Sequence, residues 1–590
     1  MKEQQKYYSN RILFLTDQFK KQKQVYRNFS LLRLFVFILI CLIFFKFWGM
    51  ILLMPITIIL FGLFLWLVGK SIDAKLQRDK LNFLILFNQN ELSVLDGDWS
   101  NYENGMEYID GAHPYSYDID LFGPKSIFQL LNRTSSLAGK KALSKLLKFG
   151  TKNPKVNEAC IQVLSENIEW CQNFTIESQV RNESLVNEVS LDDLTGVEID
   201  WSKLKATLRW VIPFTAFLNV ALYAFSIING FVFTIFLVTP LVLIINDLKT
   251  SNGLAKELAL VSERIDALLA QLQLLKEIKS GDKLFNQKIE EILNDQTNVL
   301  EALKSLKRMN KRFEFRMNVL VGVILNYFLA WDFQLQLKLK IWLNENRAYL
   351  ASWENNMGEI ECWISGAVFK FNNPELVFNK FDGSKNEIEI VGLGHPFVPV
   401  SKRVVNDFKL LQSDSFVVTT GPNMAGKSTY LRGVGLSIVL ANAGFPIVAK
   451  KVNIPPVKLY SSMRTSDDLN IESSYFFAEL KRLRFIMDAI ESGEQVFIIL
   501  DEILKGTNSQ DKATGSAKFL EKLEKMGAKG IIATHDLSLC DLAIHSNSFQ
   551  NWYFDSVISG SEISFDYKIN KGVCKNMNAS FLLKKMDLVD

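Results

Sequence analysis

The stretch TTGPNMAGKSTYLRG, residues Thr419–Gly433, holds two glycines that are separated by four residues and followed by a lysine and a serine. The apolar run Phe416–Thr420 leads directly into it. This spacing is typical of a loop whose backbone N–H groups surround phosphates at the start of a helix. We therefore predict a buried strand, a phosphate-binding loop and a helix that begins at Ser428.

The loop supplies most of the predicted nucleotide contacts. Lys427 offers a positive charge to the phosphates, and the hydroxyl of Ser428 can bind Mg²⁺. The full predicted phosphate-contacting set is Gly421, Pro422, Asn423, Met424, Ala425, Gly426, Lys427, Ser428 and Thr429.

Two further apolar runs end in polar residues. VFIILDE (496–502) ends in Asp501 and Glu502, and GIIATHD (530–536) contains His535. Asp501 is predicted to join Ser428 as a Mg²⁺ ligand, and Glu502 to deprotonate the attacking water. His535 is predicted to hydrogen-bond the γ-phosphate or that water. Lys427, Glu502 and His535 are thus the predicted catalytic residues of a Mg²⁺-dependent ATP hydrolase.

The runs EIEIVGL, SFVVTTG, QVFIILD and GIIATHD, from about residue 385 onward, alternate with helical segments. This alternation predicts a parallel sheet with crossover helices.

Two apolar segments elsewhere predict membrane insertion. Leu34–Val68 contains one charged residue, Lys46, and Trp210–Asn246 contains none. Since one span needs about 20 apolar residues, each segment fits two helices with a turn, near Lys46–Met50 and at Asn229. A buried core hairpin is the alternative for the first segment. Lysines and arginines flank both hairpins, which predicts a multi-pass protein of the cytoplasmic membrane whose ATPase domain faces the cytoplasm.

We expect a multidomain chain, with an α-helical core and lever domain, an α/β P-loop ATPase domain of the ABC type, and two transmembrane hairpins. Leucines at helical spacing over 254–278 predict a long amphipathic helix. Met317–Trp331 is apolar but only 15 residues long, which favours a buried helix. The predicted order is a basic lead-in (1–30), hairpin 1 (31–69), a polar linker (70–115), the first part of the core (116–206), hairpin 2 (207–246), lever and core helices (247–380) and the ATPase domain (381–590).

The amino-acid composition of the chain gives little support to several other classes of function. Net charge is +4 with 22% charged residues, which is too balanced to indicate nucleic-acid binding by itself. Six cysteines without a CxxC pair and only four histidines argue against a zinc site or a disulfide framework, and favour a reducing compartment.

Four motifs carry a family resemblance: TGPNMAGKSTYLR, RTSDDLNIESSYFFAEL, LDEILKGTNSQD and ATHD resemble the ATPase domain of the MutS family, within the ABC-type ATPases. LFGPKSIFQLLNRTSSLAGKKAL and GLGHPFVP are similar to the family's core and to the segment before its ATPase, so the likeness covers about 116–585. It implies ATP and Mg²⁺ as cofactors and a homodimer with composite sites. Ser474 would reach the partner's γ-phosphate, and the turn 504–508 would cross the dimer interface.

The chain also departs from the family. No Phe-x-Glu wedge, the family's mismatch-reading motif, precedes residue 116, and Glu472-Ser473 replace the family's Gly-Arg before the serine. The aromatic that stacks on adenine is missing before Asn406, where Arg403 is the alternative. Glu479 is either a solvated helix residue or part of the site.

Two functions remain open. One is a membrane-anchored dimeric clamp of the DNA mismatch repair family that binds DNA, with doubtful mismatch selectivity of its own. The other is a membrane-tethered mechanical ATPase that acts on a protein or membrane substrate without DNA. An ABC transporter subunit is disfavoured, because four spans are few for a translocation path and hairpin 2 carries no charge.

Overall fold

The computed structural model describes residues 2–46, 54–180, 189–245, 247–293, 298–381, 383, 386–464, 475–505, 508–559 and 562–574. The chain is multidomain. Helices make up the part before residue 373, and mixed sheets flanked by helices make up the part after residue 387.

The N-terminal part is a pair of long helices, α1 (Lys2–Lys46) and α2 (Met54–Leu95). They run antiparallel, since Gln22 donates to the carbonyl of Ala74 and the rings of Phe37 and Phe64 lie 6.0 Å apart. Neither helix is interrupted at the limits expected for hairpin 1, residues 31 and 69. The segment expected as a polar linker is helical as far as Leu95, and most of the turn near Lys46–Met50 lies outside the described residues.

In the middle of the chain the described residues form twelve helices, with short 3₁₀ turns at Met106–Tyr108, Leu191–Gly196 and Arg347–Tyr349. The predicted amphipathic helix is confirmed as α9, whose leucines are buried at helical spacing. The bounds are α3 (Ile127–Leu131), α4 (Leu137–Phe149), α5 (Pro154–Ser165), α6 (Ile168–Gln179), α7 (Lys203–Ala224), α8 (Gly230–Ile245), α9 (Leu248–Glu277), α10 (Lys283–Leu293), α11 (Val299–Arg316), α12 (Val319–Leu329), α13 (Trp331–Asn346) and α14 (Leu350–Asn372).

Within the described ranges, three helices are long and apolar enough to cross a membrane: α1, α2 and α7. Two further pairs reach that length only when joined across a bend. These are α8 with α9, bent by 54°, and α12 with the helix that follows it, bent by 81°.

The expectation of a buried helix at Met317–Trp331 is wrong. In α12, Val319 is 76% and Leu320 is 77% exposed, and only the face with Gly322, Asn326 and Tyr327 is covered. The helix packs on α7 and α8 and also touches α11 and α13, and none of the described residues covers its outer face. Apolar composition predicted burial, but burial depends on what lies across from each face.

The C-terminal part contains two principal sheets and a small hairpin. Its strands are β1 (Ile388–Leu393), β2 (Asn406–Leu410), β3 (Phe416–Thr420), β4 (Lys451–Asn453), β5 (Lys458–Ser462), β6 (Val496–Asp501), β7 (Lys529–Ala533), β8 (Phe549–Phe554), β9 (Val557–Ser559), β10 (Glu562–Ser564) and β11 (Ile569–Lys571). Its helices are α15 (Lys427–Ala443), α16 (Tyr475–Glu491), α17 (Ser509–Lys525) and α18 (Leu542–His545).

The larger sheet has the order β11-β8-β3-β7-β6-β5 and is parallel except for β11. β3 lies inside it and is buried along its whole length. The expectation that EIEIVGL joins this sheet is wrong. That run is β1, which pairs antiparallel with β2 and β4 in a separate sheet. Antiparallel pairing needs no crossover helix, and none separates β1 from β2.

A short segment before α3 attaches the helical part to the larger sheet. Asp118 accepts hydrogen bonds from the Ser461 hydroxyl at 2.6 Å and the Arg464 N–H at 2.9 Å. Asp120 forms ion pairs with Arg464 at 2.7 Å and Arg432 at 3.3 Å. Two carboxylates thus connect α15 and the end of β5 to the helical core.

A buried ion pair attaches α1 and α2 to the core. The Arg133 guanidinium donates to Glu91 at 2.7 and 3.0 Å, and its carbon lies 4.1 Å from the centre of the Tyr102 ring. Asn372 of α14 donates to the same carboxylate at 2.6 Å and accepts from the Tyr8 hydroxyl at 2.7 Å. Four separate chain segments therefore meet at one buried carboxylate.

We expect Arg133→Leu to destabilise the helical core by about 3–5 kcal/mol, because it leaves Glu91 charged, buried and without its cation. The measurement is thermal unfolding of the detergent-solubilised chain, followed by circular dichroism. Lys140→Leu is the matched control. It removes a pair with Glu103, whose side chain is 54% exposed, and should cost about 0–1 kcal/mol. Equal losses in the two variants would contradict the importance of the buried pair.

Candidate functional site

The quoted glycine loop joins β3 to α15, and two glycines make its shape possible. Gly421 has φ 135°, and a Cβ there would lie 2.5 Å from the carbonyl oxygen of Phe554. Gly426 has φ 104° and precedes the first helical residue, Lys427. Only glycine adopts such angles at low cost, so both positions depend on it. The helix begins one residue before the predicted start.

Lys427 lies inside the loop and is 6% exposed. Its ammonium donates to the carbonyl oxygens of Gly421 at 2.6 Å and Pro422 at 3.0 Å. Burial lowers the pKa of Lys427, while the nearby carboxylates of Asp501 and Glu502 act in the opposite direction. The loop's own carbonyl oxygens therefore hold the ammonium group of Lys427 at the centre of the loop.

The end of β6 meets the start of α15. The Ser428 hydroxyl donates to the Asp501 carboxylate at 2.7 Å. Burial raises the pKa of Asp501, and the bond from Ser428 opposes that shift. A hydroxyl and a carboxylate at this distance form an oxygen pair of the kind that Mg²⁺ prefers.

His535 lies between the loop and the second carboxylate. Its Nε2 is 2.8 Å from the Asn423 amide oxygen, 3.1 Å from Glu502 Oε1 and 3.3 Å from the Lys427 ammonium. Two of these neighbours are acceptors, and the lysine already donates to two carbonyls, so we assign the proton to Nε2. Burial, followed by the charge of Lys427, lowers the pKa of His535, which favours the neutral ring.

The turn after Asp501 holds two non-glycine residues with left-handed backbone, Glu502 at φ 49° and Leu504 at φ 59°. Each such residue costs on the order of 1–3 kcal/mol unless its surroundings hold it. The Glu502 N–H donates to the carbonyl of Ala533 at 2.9 Å. Glu479 of α16 accepts from the N–H groups of Leu504 at 2.6 Å and Lys505 at 3.1 Å.

Glu479 is therefore part of the site and not a solvated helix residue, since it is 5% exposed. Burial raises its pKa, and the two backbone N–H groups oppose that shift. The sequence left both interpretations open. The signal that favoured burial was its position in the otherwise apolar run Tyr475–Leu480.

A cavity of about 710 Å³ opens over these groups. The loop, Asp501, Glu502 and His535 line one side, and Arg403 and Tyr567 help to line the rest. Arg403, the predicted adenine-stacking residue, donates to the carbonyl of Val398 at 2.9 Å, and burial lowers its pKa. The prediction missed Tyr567, which also lines the cavity.

The structure brings most of the predicted site residues to one cavity. Residues that line it directly are Pro422, Asn423, Met424, Gly426, Lys427, Ser428, Thr429, Asp501, Glu502 and His535. Ala425 is buried beneath the loop, and the carbonyl of Gly421 accepts from Lys427. The predicted residue Ser474 and two residues of the predicted interface turn, 506 and 507, lie outside the described residues.

Comparison with known proteins places this cavity in a named domain. Residues 417–584 match the family MutS domain V. The DNA mismatch repair protein MutS of Thermotoga sp. (strain RQ2) is 34% identical over 193 residues, which cover 32% of this chain and 24% of that protein. MutS protein homolog 4 of Homo sapiens is 27% identical over 194 residues, 31% of this chain and 20% of that protein.

The range that matches the family model lies in the C-terminal part. The chain spans about a quarter of the length of the curated relatives it matches, and the DNA mismatch repair protein MutS of Fusobacterium nucleatum follows the same pattern, with 33% identity over 196 residues and 22% of its length covered. The matched range contains the glycine loop, both carboxylates of the β6 end and His535. The part of the chain that carries these residues is therefore similar to MutS domain V of the MutS family.

Proposed function

We propose that the chain is a Mg²⁺-dependent ATP hydrolase. The observation that carries this proposal is the meeting of three parallel strand ends at one cavity: β3 leads into the loop with Lys427, β6 ends in Asp501–Glu502, and β7 is followed by His535. Ligand sites of α/β sheets lie at the carboxyl ends of their strands. A cation, a pair of oxygen ligands and a carboxylate base are the groups that phosphoryl transfer to water needs.

The residues fit ATP and Mg²⁺. The cavity is within the usual size range for a small-molecule site, and the first N–H groups of α15 have no acceptor within the helix and point toward the loop. Ser428 and Asp501 would hold Mg²⁺, which neutralises charge on the phosphate oxygens when bound. Arg403 and Tyr567 offer a cation and an aromatic ring for a base.

Glu502 and His535 have different roles in activating the attacking water. Glu502 is the proton acceptor, because its carboxylate faces the cavity and its backbone is fixed at both ends of the turn. His535 donates its Nε2 proton toward Glu502 and Asn423, which orients both side chains. Burial lowers the pKa of His535 and so favours the neutral ring, whose assigned tautomer keeps the proton on Nε2.

Lys427→Ala should abolish nucleotide binding, since the loop loses its cation. Glu502→Gln should retain ATP but lower turnover by about 10²-fold or more, because the side chain keeps its shape and loses its basicity. Equilibrium binding of a fluorescent ATP analogue and phosphate release measure the two effects separately. Equal turnover in Glu502→Gln and the unmodified chain would remove Glu502 from the mechanism.

Glu479→Gln should lower turnover while leaving ATP affinity nearly unchanged. The neutral amide has one acceptor oxygen, so one of the N–H groups of Leu504 and Lys505 loses its acceptor, the other keeps only an uncharged one, and Glu502 moves with the turn. Hydrogen bonds to charged groups contribute about 1.5–3 kcal/mol. Glu491→Gln, at the exposed end of the same helix, is the matched control and should leave turnover unchanged. Weaker ATP binding with normal turnover of bound ATP would contradict a role for Glu479 in placing the turn.

We also propose that the chain is a multi-pass protein of the cytoplasmic membrane and forms a homodimer with composite ATP sites. Three helices of sufficient length and the exposed apolar faces of α7 and α8 support membrane insertion. The exposed positions of Lys505 and Asn508 beside the turn support a partner contact there. Ser474 remains the predicted contact with the partner's γ-phosphate.

We propose that this ATPase acts on DNA. The relatives named above as DNA mismatch repair proteins support it, together with the shared domain V. The buried attachment of the α1–α2 pair to α14 supports a clamp held at the membrane. The same attachment also suits the alternative, an ATPase that moves a membrane or protein partner without DNA.

We expect DNA binding by the detergent-solubilised chain to weaken steeply with salt and to show little preference for a mismatch, because phosphate contacts would supply most of the affinity. Gel-shift titrations with homoduplex and single-mismatch duplex at several salt concentrations provide the measurement. A tenfold preference for the mismatch, about 1.4 kcal/mol, would instead indicate a mismatch sensor. An absence of binding at low salt would favour the alternative without DNA.

A further inference from the structure

Helix α12 presents an apolar face that no described part of the chain covers. Val319, Leu320, Val323 and Ile324 are exposed on it, and residues 317–331 contain no charged side chain. We propose that α12 inserts this face into the bilayer without crossing it, as a third membrane helix beside α7 and α8. The proposal rests on the membrane attachment proposed above and adds a lipid-binding surface to it.

The size of α12 and the position of its ends exclude a crossing. Its 11 residues extend about 16 Å, roughly half of a hydrocarbon core of about 30 Å. Arg316, just before the helix, and Asp332, just after it, form a buried ion pair at 2.6 Å. Since a charged pair joins the two flanks of α12, both flanks lie on the same side of the membrane.

The covered face of α12 belongs to the same unit as hairpin 2. Asn219 of α7 donates to the Tyr327 hydroxyl of α12 at 3.1 Å and to the carbonyl of Phe233 in α8 at 3.1 Å. The rings of Phe217 and Phe328 lie 5.4 Å apart. An amide that joins three apolar helices is the kind of polar contact that holds helices together in lipid.

Charge around α12 favours lipid over a protein partner. Lys311 is exposed in the last part of α11, and the exposed Lys203 begins α7. Phe315 and Met317, exposed at the entry to α12, continue its apolar face toward these cations. An apolar surface bordered by lysine and arginine matches the boundary between acyl chains and anionic headgroups.

The test uses the full chain reconstituted in vesicles of phosphatidylcholine and phosphatidylglycerol. A Cys41→Ser background leaves only buried native cysteines. An environment-sensitive fluorophore is attached to the cysteine of Leu320→Cys or Ile324→Cys. Its quenching is measured with lipids that carry a nitroxide either at a shallow or at a deep position in the bilayer. Ile235→Cys on α8 is the membrane reference. Ile544→Cys on α18 is the matched control in the domain V region. Like the two probe positions on α12, Ile544 is apolar and exposed.

We expect both α12 probes to lose emission with the shallow nitroxide more than with the deep one, while Ile235→Cys is quenched and Ile544→Cys is not. If the α12 probes behave like Ile544→Cys while Ile235→Cys is quenched, the proposal fails and the membrane attachment stands. Deep quenching equal to that of Ile235→Cys would overturn the non-crossing arrangement. A blue shift that grows with protein concentration, without quenching, would assign the face to a second copy of the chain. If Ile235→Cys is also unquenched, the membrane attachment itself fails.

Discussion

The buried polar residues of α14 are the constraint on which the helical part of the molecule depends. Glu354 pairs with Arg264 of α9, Glu361 accepts the backbone N–H groups of Ser135 and Ser136, and Asn372 donates to Glu91 of α2. A charge buried without a partner costs several kcal/mol, so α14 is stable only when all three neighbours are in place. One helix thereby fixes the N-terminal pair, the start of α4 and the long amphipathic helix relative to each other.

Hydrogen bonds and ion pairs also connect the helical core to the cavity. Arg482 of α16 donates to the carbonyl oxygens of His113 and Pro114, in the segment whose Asp118 and Asp120 hold α15 and β5. The helix held in this way carries Glu479, which fixes the turn after Glu502. The 113–120 segment is therefore linked through α16 to the backbone of Leu504 and Lys505, close in sequence to the proposed base Glu502. Such a link would allow a membrane-held core and an ATP site to influence each other.

Local pattern was sufficient to predict which polar groups line the cavity. Glycine spacing, a serine after a lysine, and carboxylates at the end of an apolar strand are short-range features, and the loop, β6 and β7 lie where these features predicted them. The pairing partner of β1, the burial of Glu479 and the approach of Tyr567 are not short-range. Each depends on a contact between residues far apart in the chain, such as Glu479 with Leu504 or Asn406 with the carbonyl of Tyr567. The identity of a residue does not show which distant residue its side chain or backbone will contact.

The sequence by itself determined where apolar residues lie and which helices they form, because hydrophobic periodicity and length act locally. It also indicated the similarity of the C-terminal part to MutS domain V, since each motif that carries this similarity is a contiguous stretch. Only the tertiary structure decided which apolar faces remain uncovered. α9 and α12 are both rich in leucine and valine, yet the core covers α9, whereas α12 packs against α7, α8, α11 and α13 and keeps a face that no described residue covers. Burial is a property of the surroundings of a residue, and those surroundings exist only once distant segments have packed together.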